Sequence, residues 1–201
     1  MPSAPVVAVV VAVLCGYLLG SIPFGLLVAR LRNIDLRSVG SGNIGATNAA
    51  RALGKGWGVL VLGLDAAKAA VPILAARHFF RDDPRREWIE VGVALAAFLG
   101  HLFPVFAGFR GGKGVATAFG SFVALAPLPA LLGLLTYALL VGVTRISSVG
   151  SICAVLSFPI WLRVFSASRA CFVLAAAFLV MILLKHRGNI ARLWRRQEQR
   201  V

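Results

Sequence analysis

The chain has 201 residues, 59% of them in the apolar set AVILMFWYC and a further 21 glycines, with a mean hydropathy of +0.87. Soluble globular domains carry about 45–50% apolar residues even with glycine included, so an ordinary cytosolic domain is excluded. The 21 Lys and Arg against 7 Asp and Glu leave a net charge of +14, which in a membrane chain marks the cytoplasmic face rather than a nucleic-acid partner.

A crossing helix needs about 20 mostly apolar residues. The first run, 5–29, meets this; it has no basic stretch before it and no convincing small-residue cleavage site, so it is expected to be a retained span rather than a signal peptide. A polar, glycine-rich segment follows, and then the apolar run 57–80, in which Asp65 and Lys68 stand three apart on one helix face. That pair is read as a structural ion pair supporting the neighbouring loop. The turn 81–87 mixes both signs of charge and is assigned no chemistry. Run 89–109 is the next span. The uncharged stretch 115–144 is too long for one, and Pro127 and Pro129 interrupt it, so it is either two shorter spans meeting at 126–130 or one kinked helix. Runs 146–162 and 170–184 are short; 15 residues cover only about 22 Å. Cys15, Cys153 and Cys171 lie in apolar runs without metal-site spacing and read as core fillers.

Charge placement decides the count. Seven spans with the break at Pro127–Pro129 put +12 inside and +2 outside, whereas six would move Arg145 and the basic tail to the outer face. The expectation is an all-α polytopic membrane bundle of seven transmembrane helices, with the N-terminus outside, the C-terminus cytoplasmic, and a single domain over 1–201.

Polar residues cluster in the inner segments. In Ser41-Gly-Asn-Ile-Gly-Ala-Thr-Asn48, followed by Arg51, the turn at Gly42, Asn43 and Gly45 can form a nest of backbone N–H groups, and Ser41, Thr47, Asn48 and Arg51 offer donors to phosphate oxygens. A flexible loop with ordinary inner-face arginines has the same composition. His101-Leu-Phe-Pro-Val-Phe-Ala-Gly-Phe-Arg-Gly-Gly-Lys-Gly-Val-Ala-Thr117 lacks the spacing of a nucleotide phosphate loop, so a triphosphatase is not expected. Lys113, after Gly111 and Gly112, can still act as a point charge on a phosphate, with His101 facing the bundle interior nearby. Ser147 and Ser148 occupy a short inner turn, where capping a helix or touching a ligand are both open. His186 and Asn189 share a helical face, with Arg192 continuing it, in a segment that also suits a basic helix end at anionic lipid. No metal site emerges and no cofactor is expected. The cation-rich, hydroxyl-rich inner segments suit an anionic substrate.

On Ser41–Asn48 with Arg51, on 100–106 with 111–117, and on 186–193, the chain closely resembles the bacterial membrane-bound glycerol-3-phosphate acyltransferases that use acyl-phosphate as donor. The resemblance implies transfer of a fatty acyl group from acyl-phosphate to the 1-hydroxyl of sn-glycerol 3-phosphate, giving lysophosphatidate and inorganic phosphate, the first step of phospholipid synthesis. It implies a multi-pass protein of the bacterial inner membrane with its site on the cytoplasmic side and membrane lipids around it; a monomer is compatible with the sequence, which does not fix the oligomeric state. It assigns His101, Asn189, Thr47 and Ser148 to catalysis, Ser41, Arg51, Lys113 and His186 to substrate phosphate, and Asn48, Asp65, Lys68 and Arg192 to support. The family lacks a histidine-x4-aspartate pair, as does this chain, where Phe106 stands five residues after His101. A small transporter or flippase for an anionic metabolite is the competing class; it needs a site reached from both faces, whereas the polar clusters here map to one.

Overall fold

The computed structural model describes residues 3–201, and among these the regular structure is helical throughout, with ten α-helices. The chain divides into two compact units, one ending at Leu125 and the other Ala126–Val201.

The first unit opens with α1 (Val6–Gly20) and α2 (Phe24–Arg30), two pieces of one apolar 25-residue stretch. The break has a chemical cause. Pro23 has no N–H to continue the ladder, and the Ile22 carbonyl, bent into the interior, accepts from Lys68 Nζ at 2.9 Å. α1 buries only Gly16 and Gly20 and turns Val7, Val10, Val11 and Leu14 outward, as expected of a lipid-facing helix that meets its neighbour through small residues. α3 (Ala46–Leu53) is short, and its apolar face joins Val28, Ala29, Leu36, Ala49 and Val61 in a local core against the start of α4 (Lys55–Phe79). α4 is the hub of this unit, packed by α1, α3, α5 (Arg86–Leu102) and α6 (Val115–Leu125). A 3-10 turn, Val105–Ala107, follows α5.

The end of this unit formed by the α4–α5 connection is closed by charge. Buried Glu90 accepts from Arg77 Nη2 at 2.7 Å and lies 3.4 Å from Arg86 Nε. Asp83 accepts from the Ala4 backbone at 2.6 Å and from Arg85, whose hydrogen bonds hold its carboxyl well below the usual carboxylate range. Within 81–87, Arg81 pairs with Asp82 and Arg85 with Asp83, and both Asp83 and Arg85 also bond the Ala4 backbone.

The second unit holds α7 (Pro127–Thr144), α8 (Ser147–Val164), α9 (Arg169–Lys185) and α10 (Arg187–Trp194). The proline break falls where the sequence places it: α7 begins at Pro127, where the missing N–H is harmless in a first turn. Arg145 takes a left-handed conformation (φ 61°) to reverse the chain into α8. Ser168 caps α9, accepting from Cys171 N at 3.3 Å. α9 and α10 meet at 57° with His186 at the joint.

Five helical stretches among the described residues are long and apolar enough to cross a bilayer, or six if the bent α9–α10 pair is one span. The last two expected spans are longer than their apolar cores suggest, at 18 and 17 residues. α6, with 11 residues, rises only about 16 Å and does not reach that length alone.

Candidate functional site

The first glycine-rich loop is organised from within by Asn48. Its side chain is almost fully buried; Oδ1 accepts from Ser41 N at 3.0 Å, and Nδ2 donates to the carbonyls of Leu36 and Val39, both at 3.0 Å. Asn48 therefore fixes the loop rather than offering its amide to a ligand. Gly40, with φ at 58°, lets the loop pass close to that amide, since a Cβ there would strike Asn48 Oδ1. Gly45 precedes α3, whose amide groups Asn48 N and Ala49 N both bond its carbonyl at 3.1 Å. Ser41 is exposed at the loop tip, while Thr47 and Arg51, four apart on α3, are half-buried.

The second loop closes back onto α5. Gly112 N donates to His101 O at 3.1 Å, and a Cβ at Gly112 would fall on His101 Nε2, so the imidazole and the Gly111–Gly112 backbone lie in contact. His101 is buried, and its Nδ1 lies 3.7 Å from Asp65 Oδ1. The same Asp65 oxygen is 2.8 Å from Lys68 Nζ. The pair expected to be merely structural therefore reaches both the helix break at Ile22 and the candidate catalytic histidine. Lys113, half-buried, leads directly into α6.

One residue outside the sequence reading joins these loops. Arg37 Nη2 donates to Ala107 O at 3.0 Å and Arg110 O at 3.1 Å, so the guanidinium of the first loop holds the backbone of the second. Asp35 Oδ1 in turn accepts from Arg37 N at 2.9 Å. The single available signal is position, since Arg37 immediately precedes the polar segment at Ser38.

In the second unit, Ser148, Asn189 and Arg192 are brought together by Glu198, which the sequence reading counts only as a charge. Glu198 Oε1 accepts from Ser148 Oγ at 2.9 Å and from Asn189 Nδ2, and Oε2 accepts from Arg192 Nε at 2.6 Å. Partial burial opposes its ionisation, but these donors outweigh it and hold the carboxyl below the ordinary glutamate range. The structure also separates the adjacent serines: Ser147 Oγ is 2.9 Å from Tyr137 Oη, while Ser148 faces the Asn189 cluster. His186 is buried and its Nδ1 donates to Ile182 O at 2.8 Å, which leaves Nε2 as the other functional nitrogen of the ring.

Both units thus assemble hydroxyl, amide, imidazole and cationic groups on helix ends and glycine turns, the inventory for holding phosphate oxygens. A family model described as Glycerol-3-phosphate acyltransferase matches residues 10–196. The chain is 53% identical over 195 residues to a glycerol-3-phosphate acyltransferase of Anaeromyxobacter dehalogenans, covering 94% of this chain and 95% of that one. It is 44% identical over 188 residues to one of Aquifex aeolicus, covering 94% and 96%. A crystal structure of PlsY, an integral membrane glycerol 3-phosphate acyltransferase in its glycerol 3-phosphate form, is similar with a TM-score of 0.90 at 43% identity, covering 96% of each chain. A second crystal structure of PlsY, in its lysophosphatidic acid form, gives 0.88 at 41%, covering 96% of this chain and 95% of that one.

Proposed function

This chain belongs to the glycerol-3-phosphate acyltransferase family, and from that premise we infer that it transfers a fatty acyl group from acyl-phosphate to the 1-hydroxyl of sn-glycerol 3-phosphate. The products are 1-acylglycerol 3-phosphate and inorganic phosphate. The observation that carries this reading is its likeness, over nearly the whole chain, to a structure of the glycerol 3-phosphate form.

Acyl-phosphate is already activated, so catalysis reduces to positioning, charge stabilisation and acceptance of the leaving group. The glycerol 1-oxygen attacks the acyl carbon, the bond from that carbon to the phosphate oxygen breaks, and the hydroxyl proton passes to the departing phosphate. No covalent acyl-enzyme is needed. We assign Ser41, Arg51, Lys113 and His186 to substrate phosphates, with the amide-bearing turns at Gly42, Asn43, Gly45, Gly111 and Gly112. His101, Asn189, Thr47 and Ser148 orient the reacting groups. Support for Arg51 and Lys113 comes from their settings: Arg51 stands on a short helix fixed by the Asn48 loop, and Lys113 extends from the turn that packs on His101. Asp65, Lys68, Asn48 and Arg192 hold these groups from behind.

The activity belongs to the chain as one acyltransferase domain, 1–201, in the bacterial inner membrane. Seven crossings, with α6 as the short one, the amino terminus outside and the chemistry on the cytoplasmic side, keep the basic segments inside. Snorkelling Lys and Arg, or local bilayer thinning, accommodates α6. The acyl tail leaves laterally between apolar helices, which spares its transfer through water at about 0.8 kcal/mol per CH2. Purified protein incubated with acyl-phosphate and glycerol 3-phosphate should form lysophosphatidate by mass spectrometry; a folded preparation that forms none overturns the assignment.

A further inference from the structure

The loop that joins α5 to the Gly111–Gly112 turn is fastened along its whole length. At its base Tyr17 Oη donates to Phe103 O at 2.8 Å, and Pro104 is buried. Within it, Ala107 N and Phe109 N both donate to Pro104 O, at 3.1 and 2.8 Å. Arg37 Nη2 holds the carbonyls of Ala107 and Arg110, and Gly112 N pins the far end to His101 O. With so many backbone groups engaged the loop is held in a defined shape, and the side chains it turns outward are presented in fixed places.

Those side chains are apolar. Val105, Phe106 and Phe109 are exposed within five consecutive positions, the two rings at 62% and 59%. Phe109 also stands at φ 60°, in the left-handed region where a side chain crowds the backbone and glycine is the ordinary occupant. A phenylalanine makes this turn harder to form than glycine would, and a ring this exposed gains the fold little by burial. The use of the ring therefore lies outside the packed chain. Apolar side chains on a spanning helix face lipid by default, but these belong to a loop that runs straight into cations. Arg110 follows Phe109 directly, and Lys113 comes four positions after it.

Exposed rings on one side of a glycine turn and a lysine on the other suit an anionic head that carries a hydrocarbon tail. Three residues span at most about 11 Å, so a head held at the Gly111–Gly112 turn brings the start of its tail within reach of the Phe109 ring. We propose that Val105, Phe106 and Phe109 form a donor-recognition surface: they meet the first methylenes of the acyl-phosphate chain while its phosphate lies at Gly111–Lys113, and so set a preference for long-chain donors over short ones. The proposal rests on the acyltransferase reading above. The tail crosses this surface before it passes between the helices into the bilayer, and the rings keep its first methylenes from water.

The test uses substitutions that spare the backbone. Phe109→Gly removes a ring where φ favours glycine, and Phe106→Ser removes one that is already exposed, so the double variant should unfold near the wild-type temperature. In the full-length wild type, kcat/KM should rise from octanoyl through dodecanoyl to hexadecanoyl phosphate. In the double variant the ratio of the longest donor to the shortest should fall by about tenfold, the weight of about two methylenes. An unchanged ratio overturns the proposal and leaves the rings as contacts of bulk lipid. A wild type indifferent to chain length overturns it, as does an equal fall for all three donors, which marks a loop that has lost its shape. Binding is read separately, in nanodiscs, with octylphosphonate and hexadecylphosphonate, which carry tail and anionic head but no acyl group to transfer. The double variant should lose about tenfold in affinity for the longer relative to the shorter; equal relative affinities in wild type and variant overturn the surface. A wild type that shows this binding and turns over no acyl-phosphate would instead overturn the acyltransferase assignment and leave the surface standing.

Discussion

Removal of the Glu198 carboxylate should loosen the end of the second unit. In Glu198→Ala, three donors lose their common acceptor: Ser148 Oγ, Asn189 Nδ2 and Arg192 Nε. Arg192 is 42% exposed and regains water, so its share of the loss is small. Ser148 and Asn189 are buried, and a buried donor left without a partner costs about 1–3 kcal/mol. Asn189 keeps other contacts, so one of the two is left without an acceptor and the net destabilisation is about 1–3 kcal/mol. Glu198→Gln keeps one acceptor oxygen and should lose roughly half as much. The assay is thermal unfolding of detergent-solubilised protein, followed by helix content and by the activity remaining after heating. Because the carboxyl is held below the ordinary glutamate range, its stabilisation is fully present above the unfolded-state pKa and is lost as pH falls through the lowered folded-state value. Wild type should therefore approach Glu198→Ala in stability at acid pH below the usual glutamate range and diverge from it toward neutrality. A Glu198→Ala protein as stable as wild type at neutral pH would refute the reasoning.

Arg51→Ala should cost about 1.5–3 kcal/mol of charge-assisted binding, lowering kcat/KM for glycerol 3-phosphate by about 10–150-fold while leaving the unfolding midpoint near wild type. Gly112→Ala places a methyl group on His101 Nε2, so turnover should fall by about 100-fold or more, measured as initial rate with both substrates saturating. Arg37→Ala removes two hydrogen bonds between the glycine loops, both donated by Nη2; an increase of about threefold to tenfold in KM with kcat less affected is expected, and Arg37→Lys, whose ammonium does not reach as far as Nη2, should recover only part of it.

What could be read from the sequence depended on whether the governing interaction was local. The helix start at Pro127 follows from one residue's missing N–H, and the pairing of Asp65 with Lys68 follows from a spacing of three. The break at 21–23 depends on more than Pro23, because the Ile22 carbonyl freed there is satisfied by Lys68, which lies 46 positions further along. No periodicity carries that information. Asn48 likewise reads as a ligand donor in an Asn- and Gly-rich loop, yet its three hydrogen bonds are spent on that loop's own backbone. Arg37 and Glu198 are hidden for another reason. Among arginines that orient a membrane protein, one that links two loops has no distinguishing composition, and a glutamate in a basic tail reads as partial charge compensation until its three partners are known.

The distribution of acid is itself part of the chemistry. Both substrates are anionic, so a carboxylate left loose near Arg51 or Lys113 would compete with phosphate for the same cations. Four of the seven acidic residues, Asp82, Asp83, Glu87 and Glu90, lie in the α4–α5 connection or at the start of α5, away in sequence from every segment proposed to bind phosphate. The other three are each committed. Asp35 accepts from the Arg37 backbone, Asp65 balances Lys68 and addresses His101, and Glu198 gathers Ser148, Asn189 and Arg192. Each is bound in that way to a group of the protein itself, in a loop or at a proposed substrate contact. Charge balance and orientation are thereby achieved with the same few carboxylates, so their removal should appear as misplaced donors rather than as a stronger anion site. For Asp65→Asn that means a fall in kcat, where a simple gain of positive potential would have given tighter binding of glycerol 3-phosphate and undiminished turnover.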